Sequence, residues 1–138
     1  MKNKKSLLAV LVLLSAIVVN ANVANTNVAN PNFGKDKVLN KARKAVASNF
    51  DNSWKVFAQS ASMIIKEDVA LEEAKSWLDA SLKIQKTSFN LEVMGDYYFA
   101  TGDKKSAIKY YHESLVLLKE TTLNPDTGQL QAKIWKSR

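Results

Sequence analysis

Between Leu91 and Ser114 the side chains follow a spacing that only two packed helices accommodate. Leu91, Met94, Gly95 and Tyr98 stand at i, i+3, i+4 and i+7, one stripe of a helix. Gly102 then marks a turn, and Ala107, Tyr111 and Ser114 continue at i, i+4 and i+7. The order is large, large, small, aromatic, followed by small, aromatic, small. Gly95 sits inside the first stripe, where glycine costs about 1 kcal/mol against alanine. Such a residue has a packing reason, and close approach of the neighbouring helix supplies it.

Helical periodicity extends to both sides. Val38, Leu39, Ala42, Ala45 and Val46 form one stripe from Lys35 to about Asn49. Asp51-Asn52-Ser53 supply an N-cap for a second helix to about Lys66, whose apolar face is Trp54, Phe57, Ala58, Ala61, Ile64 and Ile65. Asp68 is placed to cap a third helix, with Glu72 and Glu73 in its first turns, where the helix dipole favours anions. That helix carries Ala74, Trp77, Leu78, Ser81 and Leu82. A turn near Thr87 to Asn90 precedes the fourth helix, about Asn90 to Ala100. Asp103 caps the fifth, which runs to about Lys119. Asp126 with Gln129 has the spacing of a capping box for a last helix over 126–137, presenting Leu130, Ile134 and Trp135. No stretch alternates as a strand does, and both prolines, Pro31 and Pro125, lie at boundaries. Trp77, Tyr111 and Trp135 are large enough to fill the gaps between layers, so Trp77→Ala is expected to cost about 3–5 kcal/mol.

The central hairpins overlay. Ala74 matches Ala107, Leu78 matches Tyr111 and Ser81 matches Ser114, all 33 apart. In the first helices Phe57 matches Leu91, Ala61 matches Gly95 and Ile64 matches Tyr98, 34 apart, while Ser60 meets Met94. Either the first turn is one residue longer or the first-helix register shifts by one.

These residues resemble the tetratricopeptide repeat family over about 53–120, with repeats near 53–86 and 87–120. Leu91, Met94, Gly95, Tyr98, Ala107 and Tyr111, with Ala74, Trp77 and Leu78, are the repeat-packing positions. The proline usual after the second helix is absent; Lys86 and Lys119 stand near those places. The resemblance implies an all-α fold over 35–138: stacked antiparallel helical hairpins in a short solenoid, about six helices, with capping helices at 35–49 and 126–137 covering the exposed ends. It also implies a concave groove lined by the first helix of each repeat, here Phe89, Glu92, Asp96 and Phe99 in the second and Lys55, Ser62 and Lys66 in the first. Two aromatics beside two carboxylates suit a peptide with basic residues; the alternative is that Phe89 and Phe99 are ordinary rim or core aromatics.

The N-terminus has the form of an export signal. Lys2, Lys4 and Lys5 precede Leu7 to Val19, in which only Ser15 is polar, and Val19-Asn20-Ala21 suits cleavage after Ala21. As a helix this run reaches about 20 Å, against about 30 Å for a bilayer core. The alternatives are thus a cleaved signal over 1–21, leaving no stable membrane insertion, and a retained anchor. Residues 22–34 repeat Asn-Val-Ala-Asn and hold too little large apolar surface to fold, as in a disordered linker. An exported chain acts in the periplasm or outside the cell. The net charge of +7 includes the three lysines of the leader. The remaining excess gathers at Lys35, Lys37, Lys41, Arg43, Lys44 and Lys55, which reads as a solvated helix face or, alternatively, as a patch for a membrane surface or an acidic partner. No nucleic-acid motif accompanies it.

Chemistry has few carriers. There is no cysteine and one histidine, His112, so sites built on thiols or on paired histidines are excluded. Glu67, Asp68, Glu72 and Glu73 do not have calcium-loop spacing, and no glycine-rich phosphate loop occurs. The expected role is a binding scaffold for a protein or peptide, with no catalysis, no cofactor and no metal. The alternatives are a structural subunit of an envelope complex or homo-oligomer and, more remotely, a small envelope hydrolase. Oligomeric state is open.

Overall fold

Six helices follow one another in the computed structural model, which describes residues 32–138: α1 (Phe33–Ala47), α2 (Trp54–Lys66), α3 (Leu71–Ile84), α4 (Ser88–Ala100), α5 (Lys104–Thr121) and α6 (Gly128–Lys136). Among the described residues there is no strand. The leader at 1–21 and most of the 22–34 linker lie outside the described residues. Phe33 and Gly34, assigned to that linker, instead form the first turn of α1, so this helix begins and ends two residues before its expected bounds of 35–49.

Consecutive helices pack together, α2 on α3 and α4 on α5, with α1 against α2 and α6 against α5. Helix α4 also touches both α2 and α3, which joins the two hairpins. The larger core cluster draws Ala42 from α1, Ala61, Ile64 and Ile65 from α2, Ala74 and Leu78 from α3, and Val93, Met94 and Tyr97 from α4. Small side chains at Ala42, Ala61 and Ala74 let the backbones approach, and the branched ones fill between them. Arg43 adds a charged tie from α1 to Glu73 of α3, its Nε donating to Oε2 at 3.0 Å. That bond, helped by the Arg43 charge against the effect of partial burial, holds the Glu73 carboxyl below its usual range.

The two hairpins correspond in detail. Helices α2 and α4 are both 13 residues long and start 34 positions apart, at Trp54 and Ser88. Helices α3 and α5 start 33 apart, at Leu71 and Lys104. The turn at 67–70 is therefore one residue longer than that at 101–103, and the first of the two registers is the correct one. A hydrogen bond repeats in the same places: Ser81 Oγ donates to the Trp54 carbonyl at 2.8 Å, and Ser114 Oγ to the Ser88 carbonyl at 2.7 Å. Both serines are fully buried. Each ties the second helix to the start of the first.

Three caps differ from expectation. Asp68 does not cap α3; it takes a left-handed conformation (φ 53°) in the longer turn, and Ala70 occupies the N-cap position. Asp126 bonds the Gly128 amide at 2.9 Å without forming a box with Gln129, and α6 starts after Thr127. Ser53 stands at the α2 N-cap position but makes no side-chain cap; its amide donates to Asn49 Oδ1 at 2.9 Å. Asp103 does cap α5, accepting from the Ser106 amide at 3.0 Å.

The segment expected to be a plain turn near Thr87 holds a polar side chain with three hydrogen bonds. Asn90 and Thr87 form a capping box, and Asn90 Nδ2 donates to Ser81 Oγ at 3.0 Å and to the Gln85 carbonyl at 2.7 Å. Asn90 is fully buried, and among the described residues no buried side-chain polar atom lacks a partner. The junction between hairpins is thus pinned from three sides.

Trp135 does not fill a gap between layers. It is 72% exposed, with the Arg138 guanidinium 4.9 Å from its ring. Leu130 and Ile134 carry the buried face of α6, and Trp135, one residue on, points elsewhere.

Candidate functional site

Gly95 and Tyr111 set the geometry around the carboxylates of α4. A Cβ on Gly95 would overlap Cδ1 and Cε1 of Tyr111 and lie 3.1 Å from its Cγ. The α5 ring therefore lies directly on the α4 backbone. The close approach is between α4 and α5, the two helices of one hairpin. Tyr111 is 2% exposed, and its hydroxyl donates to Asp96 Oδ1 at 2.8 Å. Leu91 and Met94, which precede the notch, are buried; Tyr98 is half-buried and stacks on Tyr110 with centroids 5.3 Å apart.

Glu92 and Asp96 are one helical turn apart, so both project from one side of α4. The structure fills the space between them with Lys133 of α6. Its Nζ lies 2.7 Å from Glu92 Oε1 and 2.7 and 2.8 Å from the two Asp96 oxygens. The same ammonium stands 5.6 Å from the Tyr111 ring centroid, and Lys136 stands 5.5 Å from that of Phe99. Asp96, Phe99, Tyr111, Lys133, Lys136 and Ser137 enclose a recess of about 140 Å³. Beneath it, Ala107, Tyr111, Leu130 and Ile134 form a second apolar cluster, bordered by Tyr98, Phe99, Leu115 and Leu118.

Protonation follows from this arrangement. Burial disfavours the Lys133 ammonium, but the hydrogen bonds and charges of Asp96 and Glu92 outweigh it and hold its pKa above the usual lysine range. Burial, with the Asp96 charge and hydrogen bond, pushes the Tyr111 phenol far above its ordinary range. The site sets an ammonium between two carboxyl side chains, with a phenol donating to one of them.

The expected groove is thus brought together only in part. Glu92, Asp96 and Phe99 converge, but they face α6 of the same chain rather than open solvent. Phe89 remains 37% exposed. Lys55 and Lys66 are exposed and Ser62 half-buried on α2, and none of the three has a hydrogen bond or ion pair to the cluster. Comparison with family models, with curated proteins and with solved structures yields no match.

Local periodicity does not single out Lys133. Its signal is the run Leu130-x-x-Lys133-Ile134, which sets a lysine beside the two aliphatic residues that α6 buries. The partners lie 37 residues away from it in the case of Asp96, beyond any local periodicity. His112 lies exposed on α5. It borders a shallow surface recess of about 300 Å³ with Leu115, Gln131, Ile134, Trp135 and Arg138. Among the described residues His112 has no carboxylate or hydroxyl partner that orients it as a base.

Proposed function

We propose that this chain is an exported scaffold of the tetratricopeptide kind, which holds a protein or peptide partner and does no catalysis. The observation that carries the proposal is the grip of Glu92 and Asp96 on a lysine presented by a helix. A face of α4 that accepts one basic helical segment has the chemistry to recognise another. The matched helix lengths, the repeated serine hydrogen bond and the notch at Gly95 support the repeat assignment. The leader over 1–21 supports a periplasmic or extracellular setting.

A second reading, a subunit of an envelope complex or a homo-oligomer, draws on the C-terminal end of the array. Trp135, Val116 and Leu123 are 72%, 55% and 92% exposed there. Light scattering of the mature chain separates the two: a monomer at tens of micromolar favours the scaffold.

The direct test is capture from an envelope fraction with the mature chain, followed by titration of each recovered partner. The control is the triple variant E92K/D96K/K133E, which keeps the internal ion pairs in the opposite sense. A drop in affinity of about tenfold or more supports the proposal. A partner bound equally well by the charge-reversed chain refutes the assignment of this face.

A further inference from the structure

We propose that α6 is the resident occupant of a helix-docking cleft between α4 and α5, and that a basic amphipathic helix of the partner replaces it. The inference rests on the scaffold reading above and names the regulation of that same face.

Helix α6 is held by few groups. Its buried residues within the helix are Leu130 and Ile134. Its side-chain hydrogen bonds to α1–α5 all come from Lys133, to Glu92 and Asp96 of α4. Ser137, just beyond the helix, is buried but bonds back to the Lys133 carbonyl of α6 itself. The N-cap residue Thr127 makes no capping hydrogen bond. The junction between α3 and α4 is built differently, with Asn90 and Ser81 locking three segments together. The link from α5 to α6, residues 122–127, is non-helical and mostly exposed, and Asn124 sits in it with φ 53°. A tether of this length spans up to about 20 Å when extended, enough for α6 to leave its seat without disturbing α5.

What lies under α6 defines the replacement. Ala107, Tyr111, Phe99, Leu115 and Leu118 make an apolar floor, and Glu92 and Asp96 close one side of it. A helix fits when it carries two aliphatic residues four apart and a lysine one position before the second, as in Leu130, Lys133 and Ile134. The charge match is incomplete. Two carboxylates face one ammonium, while Lys136 lies over the Phe99 ring. A partner helix that offers the same lysine and a second cation to the other carboxylate makes the fuller pairing and displaces α6. The occupant is therefore a lysine-bearing amphipathic helix from another protein. The closed form lowers apparent affinity by the fraction of chains in which α6 has left.

The probe is a fluorescent peptide with the sequence of residues 126–138, titrated against the whole mature chain. In wild type the resident helix competes with it. In I134D the anchor is lost, and affinity should rise at least tenfold, reaching about 100-fold if one chain in a hundred is open in wild type. K133E, which leaves the apolar floor intact, should also tighten binding and guards against misfolding of I134D; circular dichroism reports that α1–α5 remain. A peptide bearing the K133E change should not bind either variant. Equal affinity for wild type and both variants overturns the inference. So does hydrogen exchange in which wild-type α6 amides are as protected as those of α4 and α5, because the helix then does not open on its own. Concentration-dependent dimers of wild type would make the occupant the α6 of a second copy and overturn the assignment to a foreign helix. If I134D takes the peptide while envelope capture finds nothing, the cleft stands and the scaffold reading falls. If a captured partner binds wild type and I134D alike, the scaffold reading stands and the resident-helix inference falls.

Discussion

Replacing Gly95 by alanine sets two effects of opposite sign against each other, and the geometry says which wins. Alanine in a helix interior is favoured over glycine by about 1 kcal/mol. On an exposed helix face that would be a gain. Here the new methyl would occupy space held by Cδ1 and Cε1 of Tyr111. The ring cannot yield cheaply, because Tyr111 is 2% exposed and its hydroxyl is tied to Asp96 at 2.8 Å. Overpacking costs about 1–3 kcal/mol, and a ring with both ends fixed places this site in the upper part of that range. Shifting it also weakens a hydrogen bond to a charged acceptor, worth about 1.5–3 kcal/mol. With about half of that bond lost, the net expectation for Gly95→Ala is a destabilisation of about 2–3 kcal/mol. For a domain of this size that lowers the melting midpoint by roughly 8–20 °C. Urea and thermal unfolding followed by circular dichroism measure it. Tyr111→Leu, made in the wild-type and Gly95→Ala backgrounds, completes a double-mutant cycle. Alanine should be tolerated better once the ring is gone, with a coupling of at least about 1 kcal/mol. A Gly95→Ala chain as stable as wild type, or more stable, refutes the claim that Tyr111 explains this glycine.

Other outcomes follow from the same contacts. Asn90→Leu should lose about 2–4 kcal/mol in urea titrations, since the Gln85 carbonyl and Thr87 amide lose buried partners. Trp77 is half-buried against the main core, so Trp77→Ala should cost about 2–4 kcal/mol, a little below the sequence-based figure; Trp135→Ala should stay within about 0.5 kcal/mol by the same assay. The folded pKa values of Lys133 and Tyr111 are both raised. Their contribution is therefore complete below about pH 10, where the unfolded groups begin to lose protons, and it fades as pH rises through the folded values. Lys133→Met should accordingly show a shallower loss of stability above about pH 10 than wild type; equal alkaline slopes would remove Lys133 from the account.

Much of the helical skeleton is legible in local sequence because its causes are local. The spacing from Leu91 to Ser114 commits that segment to two helices, and the small residue at Gly95 announces a contact even before its partner is known. Asp103 caps α5 because the amide it serves is three residues away. Asn52, Asp68 and Asn124 are residue types that tolerate the left-handed conformation they adopt, and Asp68 equally suits a cap, so its local sequence does not decide between the two roles. The alignment of Ser81 with Ser114 is visible as a 33-residue offset, but not the shared hydrogen bond that makes both serines buried.

The carboxylate pair marks where local information ends. Glu92 and Asp96 share a helix face by sequence alone, and a peptide groove follows if nothing else covers that face. Something does: α6 folds back, and a lysine 37 positions from Asp96 lands between the two carboxylates. No periodicity encodes that meeting, because it depends on how α5 and the 122–127 link orient the last helix. The same rotation buries Leu130 and Ile134 and leaves Trp135 in water, although all three are apolar residues of one short helix. Helix and turn come from neighbours in the chain; which face is covered, and by which charge, comes from where distant segments come to rest.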